Sequence, residues 1–514
     1  MQRNRVLLSL FSVACLGTSS WAATITVNGA GGADHTTIQA AVTAANPGDT
    51  IEVAPGTYGE NVNINKNLDL VSTGGRDVTT IQGISMAGAL GTIVVTSNTT
   101  GVMIGDTGQG FTIIGIDNGA PGVENAAVYF QGGHSGAIVR DNEIVANGDA
   151  GLQTEYGAVI DGFIIDGNEF SGSTFFDPPA GYGFTEQFTL PNVPRQLVTI
   201  GCGSGCTNTT NVQFTSNLIS GTAGGVNTSS QEQGNTLVTV DGLGSVVTGN
   251  TFTGTTTRFA TALRCRGAST TISGNDFSSA GLADLVGHIY AQATGSDLST
   301  IVAANIFDRS VWVNAATGTI GHEIQPFVAA SPNGTTINVG PGDYPEQVEI
   351  TTNVILQGAG AGTTTIQCPS DPLVQIGTRK PIVGVNGTDD ARILDLTVDG
   401  LGLGNGNNSF VGVSFWNGGG KLLGCDVVSI RDNPLSGVQH GVAVYSYNDT
   451  PGSYALEVGN CTITDFQKNA FALSGDGMVV DVHDCTVVGA GDFAVTACRT
   501  ESGSASVRAD DHGL

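Results

Sequence analysis

Two arginines at alternate positions of one short segment are the residues best placed to do chemistry. In residues 262–267, which read Ala-Leu-Arg-Cys-Arg-Gly, Leu263 and Cys265 alternate with Arg264 and Arg266. Successive side chains of a β-strand point to opposite faces, so an inward Leu263 and Cys265 place both guanidinium groups on the outer face. Arginine binds carboxylates through paired hydrogen bonds. The segment therefore predicts a face that can bind an anionic ligand.

Three more polar residues stand at nearly the same spacing from these arginines. His288 and Tyr290 follow Arg264 and Arg266 by 24 residues, and Asp241 precedes Arg266 by 25. A chain that coils with this period would stack all five side chains into one outer patch, in which Tyr290 or His288 carries a proton. Two other interpretations stay open: a binding groove without catalysis, and solvated arginines that balance nearby acidic groups.

The elements that would position this patch begin with a segment that occurs twice. Residues 38–70 return as residues 324–356 at a constant offset of 286. In each copy, apolar residues at helical spacing give way to alternating ones, which predicts a short helix that runs into strands. From Val71 onward no helical spacing is evident until the second copy begins. The matched pairs include Ile51 and Ile337, Pro55 and Pro341, Tyr58 and Tyr344, and Glu60 and Glu346.

The run GDTIEVAPGTYGENVNI of the first copy resembles the opening of right-handed parallel β-helix proteins of the pectin-lyase-like group. The resemblance implies an all-β solenoid in which a helix caps the open end of the stack and hides its strand edges. We therefore expect two tandem units, residues 23–316 and residues 317–514, each opened by a capping helix. The group contains lyases, hydrolases, esterases, epimerases and adhesins, so the fold does not decide the activity. The sequence carries no complete catalytic motif of its pectin esterases, polygalacturonases or pectate lyases.

Asparagines recur before apolar residues throughout the first unit. Most of them follow a glycine, an aspartate or another turn residue. Stacked coils would place these amides one above another at the strand spacing of about 4.8 Å, where side-chain amides can hydrogen-bond along the stack. We predict a structural asparagine ladder. Its members are Asn142, Asn168, Asn217, Asn250, Asn275 and Asn305.

Cysteines take the corresponding place in the second unit. Cys425, Cys461 and Cys485 each stand two residues before an apolar one. Neighbouring strands lie within the Cα separation that a disulfide tolerates, so two of these cysteines could be bridged, and a buried thiol ladder is the alternative. Cys202 and Cys206 flank Gly-Ser-Gly and are expected to close a small disulfide loop. The sequence leaves open the pairing of Cys265, Cys368 and Cys498.

A second outward set of side chains is largely aromatic. Ser414 and Trp416 alternate with apolar residues in one segment, and Tyr445 and Tyr447 do so in a later one. Exposed aromatic side chains on a solenoid wall offer flat apolar faces on which sugar rings can lie. We predict that these four residues bind substrate, unless the loop at residues 447–454 folds back over the rings.

Charge and the N-terminal segment restrict the partners and the compartment. The net charge of −27 argues against nucleic acid, whose phosphates need clustered Lys and Arg. It also disfavours a polyuronate unless local arginines or a divalent cation such as calcium offset the repulsion. Residues 1–22 read as a secretory signal, in which Arg3 and Arg5 precede an apolar core. Apart from that core, no apolar run is long enough to span a bilayer, so we expect a secreted, periplasmic or cell-surface protein.

The favoured functional hypothesis joins the resemblance to the two outward surfaces. It is an exported protein that engages polysaccharide along its solenoid wall, by binding or by lyase-like or hydrolase-like cleavage. The alternative is a non-catalytic structural or adhesive module of the cell surface. The sequence identifies no metal site and no cofactor, and calcium is the one cofactor kept open.

Overall fold

In a computed structural model, the chain coils into a stack of parallel β-strands. The structure describes residues 22–490 except 87, 97, 117–124, 149, 175–195, 202–206, 224–234, 257–259, 283–284, 286, 293 and 476. Strands of successive coils pair in parallel, for example Ile51 with Leu70 and Ile138 with Ile164. The predicted parallel β-helix is therefore confirmed. Residues 1–21 of the predicted signal segment, together with Cys202, Cys206 and Cys498, lie outside the described residues.

Three long sheets and one short sheet form the walls of the first unit. Sheet 1 contains Thr24–Val27, Thr50–Val53, Asp69–Ser72, Met103–Ile104, Ile138–Arg140, Ile164–Asp166, Gln213–Thr215, Val246–Thr248 and Thr271–Ser273. Sheet 2 contains Gly56–Gly59, Thr79–Gln82, Thr112–Ile114, Glu143–Gly148, Glu169–Thr174, Leu218–Ile219, Thr222–Ala223, Thr251–Phe252, Thr255–Thr256, Asp276–Phe277 and Ile306–Phe307. Sheet 3 begins with Val62–Ile64, Gly91–Val95, Ala126–Phe130, Ala150–Thr154, Val198–Gly201, Asn235–Asp241, Ala260–Arg266 and Gly287–Gln292. Sheet 4 contains Thr99–Thr100, His134–Ser135, Ile160–Asp161 and Thr209–Thr210.

Sheet 3 continues without a break into the second unit, which adds two sheets of its own. The continuation of sheet 3 contains Gly318–Gly321, Val311–Val313, Thr336–Val339, Ile355–Gly358, Ala391–Leu394, Gly420–Leu423, Tyr454–Gly459 and Met478–His483. Sheet 5 contains Gly342–Pro345, Thr364–Gln367, Thr397–Asp399, Asp426–Val428, Thr462–Thr464 and Thr486–Val488. Sheet 6 contains Val348–Ile350, Lys380–Asn386, Phe410–Trp416, Val442–Asn448 and Asn469–Gly475.

The junction between the units is an antiparallel crossing. Gly318–Gly321 pairs antiparallel with Gly287–Gln292, and Val311–Val313 pairs antiparallel with Thr336–Val339. The strands on the two sides of the expected boundary at residues 316/317 also contact each other. Their apolar residues nevertheless divide between two cores, since Ile320 packs with the first and Val311 with the second. The exact division into two domains stays a prediction.

Short helices accompany the sheets. Among the described residues, the α-helices are Ile38–Ala44, Leu298–Ala304 and Gln325–Ala330, and the 3-10 helices are Ala280–Leu282 and Gly404–Gly406. The helix at Leu298–Ala304 packs against Thr271–Ser273, the last strand of sheet 1, and buries Leu298 and Ile301. This helix has only seven residues, too few for a helical period to be evident in the sequence.

The repeated acidic residue of the two opening segments binds the start of each helix. The Glu60 carboxylate accepts hydrogen bonds from the backbone N–H groups of Ile38 and Gln39, both at 2.8 Å. Glu346 accepts from Ile324 and Gln325 at 2.7 and 2.9 Å. The first N–H groups of a helix have no partner inside the helix. A carboxylate at this end also interacts favourably with the positive end of the helix dipole. The two copies therefore adopt the same local structure.

The asparagine ladder is confirmed, amide by amide. From Asn142 to Asn275, the Nδ2 of each asparagine donates to the Oδ1 of the next one. The Nδ2 groups of Asn142 and Asn168 also donate to a carbonyl of the preceding coil. A residue with positive φ, such as Asp141 or Gly167, precedes nearly every rung and turns the amide inward. The Nδ2 to Oδ1 distances from Asn142 through Asn168, Asn217, Asn250, Asn275 and Asn305 are 3.2, 3.1, 3.0, 2.8 and 2.9 Å.

Thiols replace the amides in the second unit. The Cys425 Sγ donates to the Ile393 carbonyl of the preceding coil at 3.5 Å and to the Leu423 carbonyl at 3.3 Å. Cys461 and Cys485 make the same two kinds of bond. All three are free thiols in this structure, as are Cys265 and Cys368. Of the two alternatives drawn from the sequence, the structure has the thiol ladder.

Candidate functional site

The two arginines of the first unit lie on the outer face of sheet 3, as their alternation predicts. Leu263 and Cys265 are fully buried in the first core. Arg266 forms a fork with Asp241, in which Nη2 lies 2.6 Å from Oδ2 and Nε lies 3.0 Å from Oδ1. The two side chains are only 11% and 2% exposed. This fork is therefore occupied by a carboxylate of the protein itself.

Arg264 stands in the next column of the same face. It is in register with Thr239 of the preceding coil and with Tyr290 of the following one. It is 6% exposed, and burial lowers its pKa to about 10, with Asp241 opposing part of the shift. Asp241, Arg264, Arg266 and Tyr290 thus form a patch of two adjacent columns across three coils, with Tyr290 beside Arg264 and Asp241 beside Arg266. Their predicted catalytic role stays a prediction.

His288 does not belong to this patch, and its predicted outward position beside the arginines was wrong, since it is 1% exposed. Ala262 and Leu263 are consecutive in the preceding strand, yet both are fully buried in the first core. The register places Leu263 opposite Ile289, which sets His288 opposite Ala262 rather than Arg264. Simple alternation fails here, because these two successive residues are both buried in the core.

The His288 ring packs inside the solenoid. It lies 5.4 Å from the Phe307 ring and 5.6 Å from the His322 ring, measured between centroids, and its side chain is 2% exposed. Its Nε2 lies 3.5 Å from an Asp308 carboxylate oxygen. This position withdraws His288 from any ligand bound to the outer face.

The aromatic set of the second unit lies on the outer face of sheet 6. Val413 and Phe415 pack in the second core, which turns Ser414 and Trp416 outward. Ser414 is in register with Tyr445, and Trp416 with Tyr447. The Trp416 and Tyr447 rings stack with centroids 5.3 Å apart and planes inclined by 28°. The structure therefore brings together all four residues predicted to bind substrate.

A turn that the sequence did not reveal covers part of this face. Ile376 and Arg379 close the turn by mutual backbone hydrogen bonds of 2.8 and 3.2 Å. The Arg379 guanidinium carbon lies 4.5 Å from the centroid of the Tyr445 ring. Gly377 lies against the indole, since a Cβ at this position would be 2.3 Å from Trp416 Cδ2. One face of Trp416 is thus occupied by the turn and the other by Tyr447.

The loop after Tyr447, which was the alternative to sugar contact, is bonded to the residue that follows Trp416. The backbone N–H groups of Asp449 and Thr450 donate to the Asn417 side-chain oxygen at 2.9 and 3.3 Å. The Asn417 amide in turn donates to the Asp449 carboxylate at 2.8 Å. These bonds fix the start of the loop at the turn that follows the Trp416 strand.

Tyr447 presents the open part of this surface. On the side away from Trp416, its register partner in the next coil is Ser474. Tyr445 has Ala472 in the same relation. Tyr447 is 36% exposed, whereas Tyr445 is 7% exposed. A small neighbour on one side and a stacked indole on the other leave one ring face of Tyr447 free for a ligand.

A buried acid and histidine in the second unit were also missed as a pair by the sequence reasoning. His440 Nε2 lies 2.7 Å from Asp432 Oδ1, and both residues are at least 95% buried, with exposures of 5% and 1%. Ser436 and Gln467 donate to the same carboxylate. Burial raises the pKa of Asp432, but these hydrogen bonds outweigh it and hold the pKa below its usual value. The pair fastens the loop between sheets 5 and 6.

In the part of the chain that the structure describes, no group of three or more His, Cys, Asp or Glu side chains could hold a metal ion. None of its helices is long and apolar enough to cross a membrane.

Comparison with known proteins found no matching family model and no curated protein of similar sequence. Similar solved structures include an alginate lyase from Paenibacillus sp., with 11% identity, a TM-score of 0.27 and coverage of 92% of this chain and 99% of that chain. A pectin methylesterase in complex with a hexasaccharide has 14% identity, a TM-score of 0.24 and coverage of 50% and 94%. The siphovirus 9NA tailspike receptor binding domain has 10% identity, a TM-score of 0.16 and coverage of 95% and 76%. Values this low transfer no activity, and the parallel β-helix fold of this chain rests on its own strand topology.

Proposed function

We propose that this protein binds polysaccharide on the outer face of sheet 6, with Tyr447 as the stacking platform. The observation that carries the proposal is the half-open Tyr447 ring, stacked on Trp416 at 5.3 Å on one side and adjoined by Ser474 on the other. An aromatic ring held rigidly in this way offers a flat apolar face to the C–H groups of a sugar ring. Export, predicted from residues 1–22, is part of the proposal, and a mature N-terminus at Ala23 would support it.

Polar groups around the ring suit the hydroxyl groups of a sugar. Asn386 is in register with Trp416 and Ser474 with Tyr447, so both flank the stacked rings. Arg379 lies over the neighbouring Tyr445. Successive coils repeat at about 4.8 Å, so an extended polymer can cross several of them while one sugar stacks on Tyr447.

Binding has more support than cleavage. In the first unit, Arg266 and Asp241 satisfy each other, and His288 faces the core. Cleavage through Tyr290 and Arg264 remains a separate hypothesis. The cleavage hypothesis predicts that the protein releases unsaturated or reducing ends from acidic or neutral polysaccharides, tested with and without calcium. The Tyr290→Phe variant should release none.

The test of binding compares two exposed tyrosines, one in each unit. The purified protein, Tyr447→Ala and Tyr156→Ala are run on a glycan array and then by affinity electrophoresis in the polysaccharides that bind. Tyr156 is 54% exposed and lies in the first unit, so it controls for the loss of a surface tyrosine. Losing a stacking contact of about 1.5 kcal/mol predicts roughly tenfold weaker binding for Tyr447→Ala only. Equal retention of both variants would refute the proposal and favour the structural or adhesive module.

A further inference from the structure

The cysteine ladder differs from the asparagine ladder in one chemical respect. An asparagine rung donates through Nδ2 and accepts through Oδ1, so each rung binds the next, as Asn217 binds Asn250. A thiol at the same place has one proton to share between the two carbonyls, and its single sulfur atom is the only polar atom that can meet the next rung. Neighbouring sulfur atoms are therefore left facing each other between coils.

We propose that Cys461 and Cys485 form a disulfide between adjacent coils when the protein meets a small-molecule disulfide. The strands that follow them pair in parallel, with Thr462 opposite Thr486, so the two cysteines are direct neighbours in the stack. Strands lie about 4.8 Å apart, which falls within the Cα separation of about 4.4–6.8 Å found in disulfides. No movement of the backbone from one coil to another is needed to join them.

Exposure selects this pair over Cys425 and Cys461, which are also neighbours. Cys425 is fully buried, and burial raises its pKa to about 12. Cys485 is only partly buried, and it lies in the last coil of sheet 5. A hydrogen bond between the Cys461 and Cys485 thiols lowers the pKa of Cys485, which favours its thiolate, the nucleophilic form. Cys485 is thus the thiol that a reagent can reach and that can attack it.

The exchange proceeds in two balanced steps. The Cys485 thiolate attacks one sulfur of the reagent, forms a mixed disulfide and releases one thiol. The Cys461 sulfur then attacks the Cys485 sulfur and releases the second thiol. Two electrons pass to the reagent, and the two protons of the cysteines end on the released thiols. The protein loses the Sγ bonds to Leu422 and His483 carbonyls, at 3.4 and 3.2 Å, and gains one covalent bond.

The experiment uses the full chain with oxidised glutathione as the probe. Reduced protein is incubated with the probe in the folded state, alkylated, digested and mapped by mass spectrometry. We expect a linked peptide that joins Cys461 to Cys485 and is two hydrogen atoms lighter than the separate peptides. Cys461→Ser should instead accumulate glutathione on Cys485, and Cys485→Ser should take up neither modification at Cys461.

A matched control and a second measurement keep the test independent of any folding defect. Cys425→Ser retains the proposed pair and should form the same linked peptide as the wild-type protein. The oxidised wild-type protein should also unfold at a higher temperature than the reduced one, with no such shift in Cys485→Ser. A bridge that includes Cys425, or full alkylation of both Cys461 and Cys485 after exposure to the probe, would overturn the proposal.

Discussion

Asn217, in the middle of the amide ladder, shows how much of the first unit's stability rests on stacked side chains. Its Oδ1 accepts from the Asn168 backbone N–H at 2.9 Å and from Asn168 Nδ2 at 3.1 Å. Its Nδ2 donates to the Ile165 carbonyl and to Asn250 Oδ1, both at 3.0 Å. Asn217→Ala removes all four bonds from an amide that is 1% exposed.

The cost of this change follows from the groups left behind. Both Asn168 donors lose their acceptor in a buried site that water does not reach. A buried donor without a partner costs about 2 kcal/mol, so the two together predict a loss of about 4 kcal/mol. For a unit of this size, that loss corresponds to a fall in Tm on the order of 8 °C.

Thermal unfolding followed by circular dichroism measures the effect. The matched control is Asn314→Ala, since Asn314 is exposed and its side chain makes one surface contact, from Ser299 Oγ at 3.2 Å. We expect the control to change the free energy of unfolding by less than about 0.5 kcal/mol. If Asn217→Ala and Asn314→Ala unfold at the same temperature, the reasoning about the ladder is wrong.

Two other predictions concern the turn that covers Trp416 and the buried His322. Gly377→Ala should push the turn away from the indole and shift the fluorescence emission of Trp416. Gly387→Ala is the control, because Gly387 has a similar positive φ but no atom lies within 4 Å of the added Cβ, and it should leave the emission unchanged. An unaltered emission spectrum in Gly377→Ala would contradict the packing. Burial is the main influence on the pKa of His322 and lowers it. The stability that neutral His322 provides is therefore complete above the unfolded pKa of about 6.5, and it is lost as the pH falls through the lower folded pKa. His322→Leu should therefore lose less Tm between about pH 7 and pH 5 than the wild-type protein, and parallel losses would count against this account.

Features that repeat along the solenoid were predictable from the sequence. The ladder residues recur because each coil must satisfy the same inward position, so Asn142 and Asn168 share both a sequence context and a set of bonds. The copies of the opening segment share an acid for the same reason, since Glu60 and Glu346 satisfy the first N–H groups of a helix. Repetition reveals such constraints even without a structure.

Features that occur once were not predictable in the same way. His288 follows the register of Ala262, which is buried next to the buried Leu263, and an alternating pattern does not predict two consecutive buried residues. The contact of Arg379 with Tyr445 depends on a turn between two coils, whose path over the face is set by packing rather than by local sequence. The first is a wrong prediction and the second a contact that was not foreseen, and both concern residues at or beside the candidate binding surfaces.

The two candidate surfaces lie on corresponding faces of the duplicated scaffold. Val62–Ile64 and Val348–Ile350 hold the same place in the two opening segments, and they begin sheet 3 and sheet 6. Inward side chains of these two sheets pack in a core, whereas outward side chains contact solvent or a ligand. In the first unit the outward charges of Asp241 and Arg266 neutralise each other. In the second unit the outward Trp416 and Tyr447 rings stack on each other with centroids 5.3 Å apart, and the binding test asks whether a ligand occupies the other face of Tyr447.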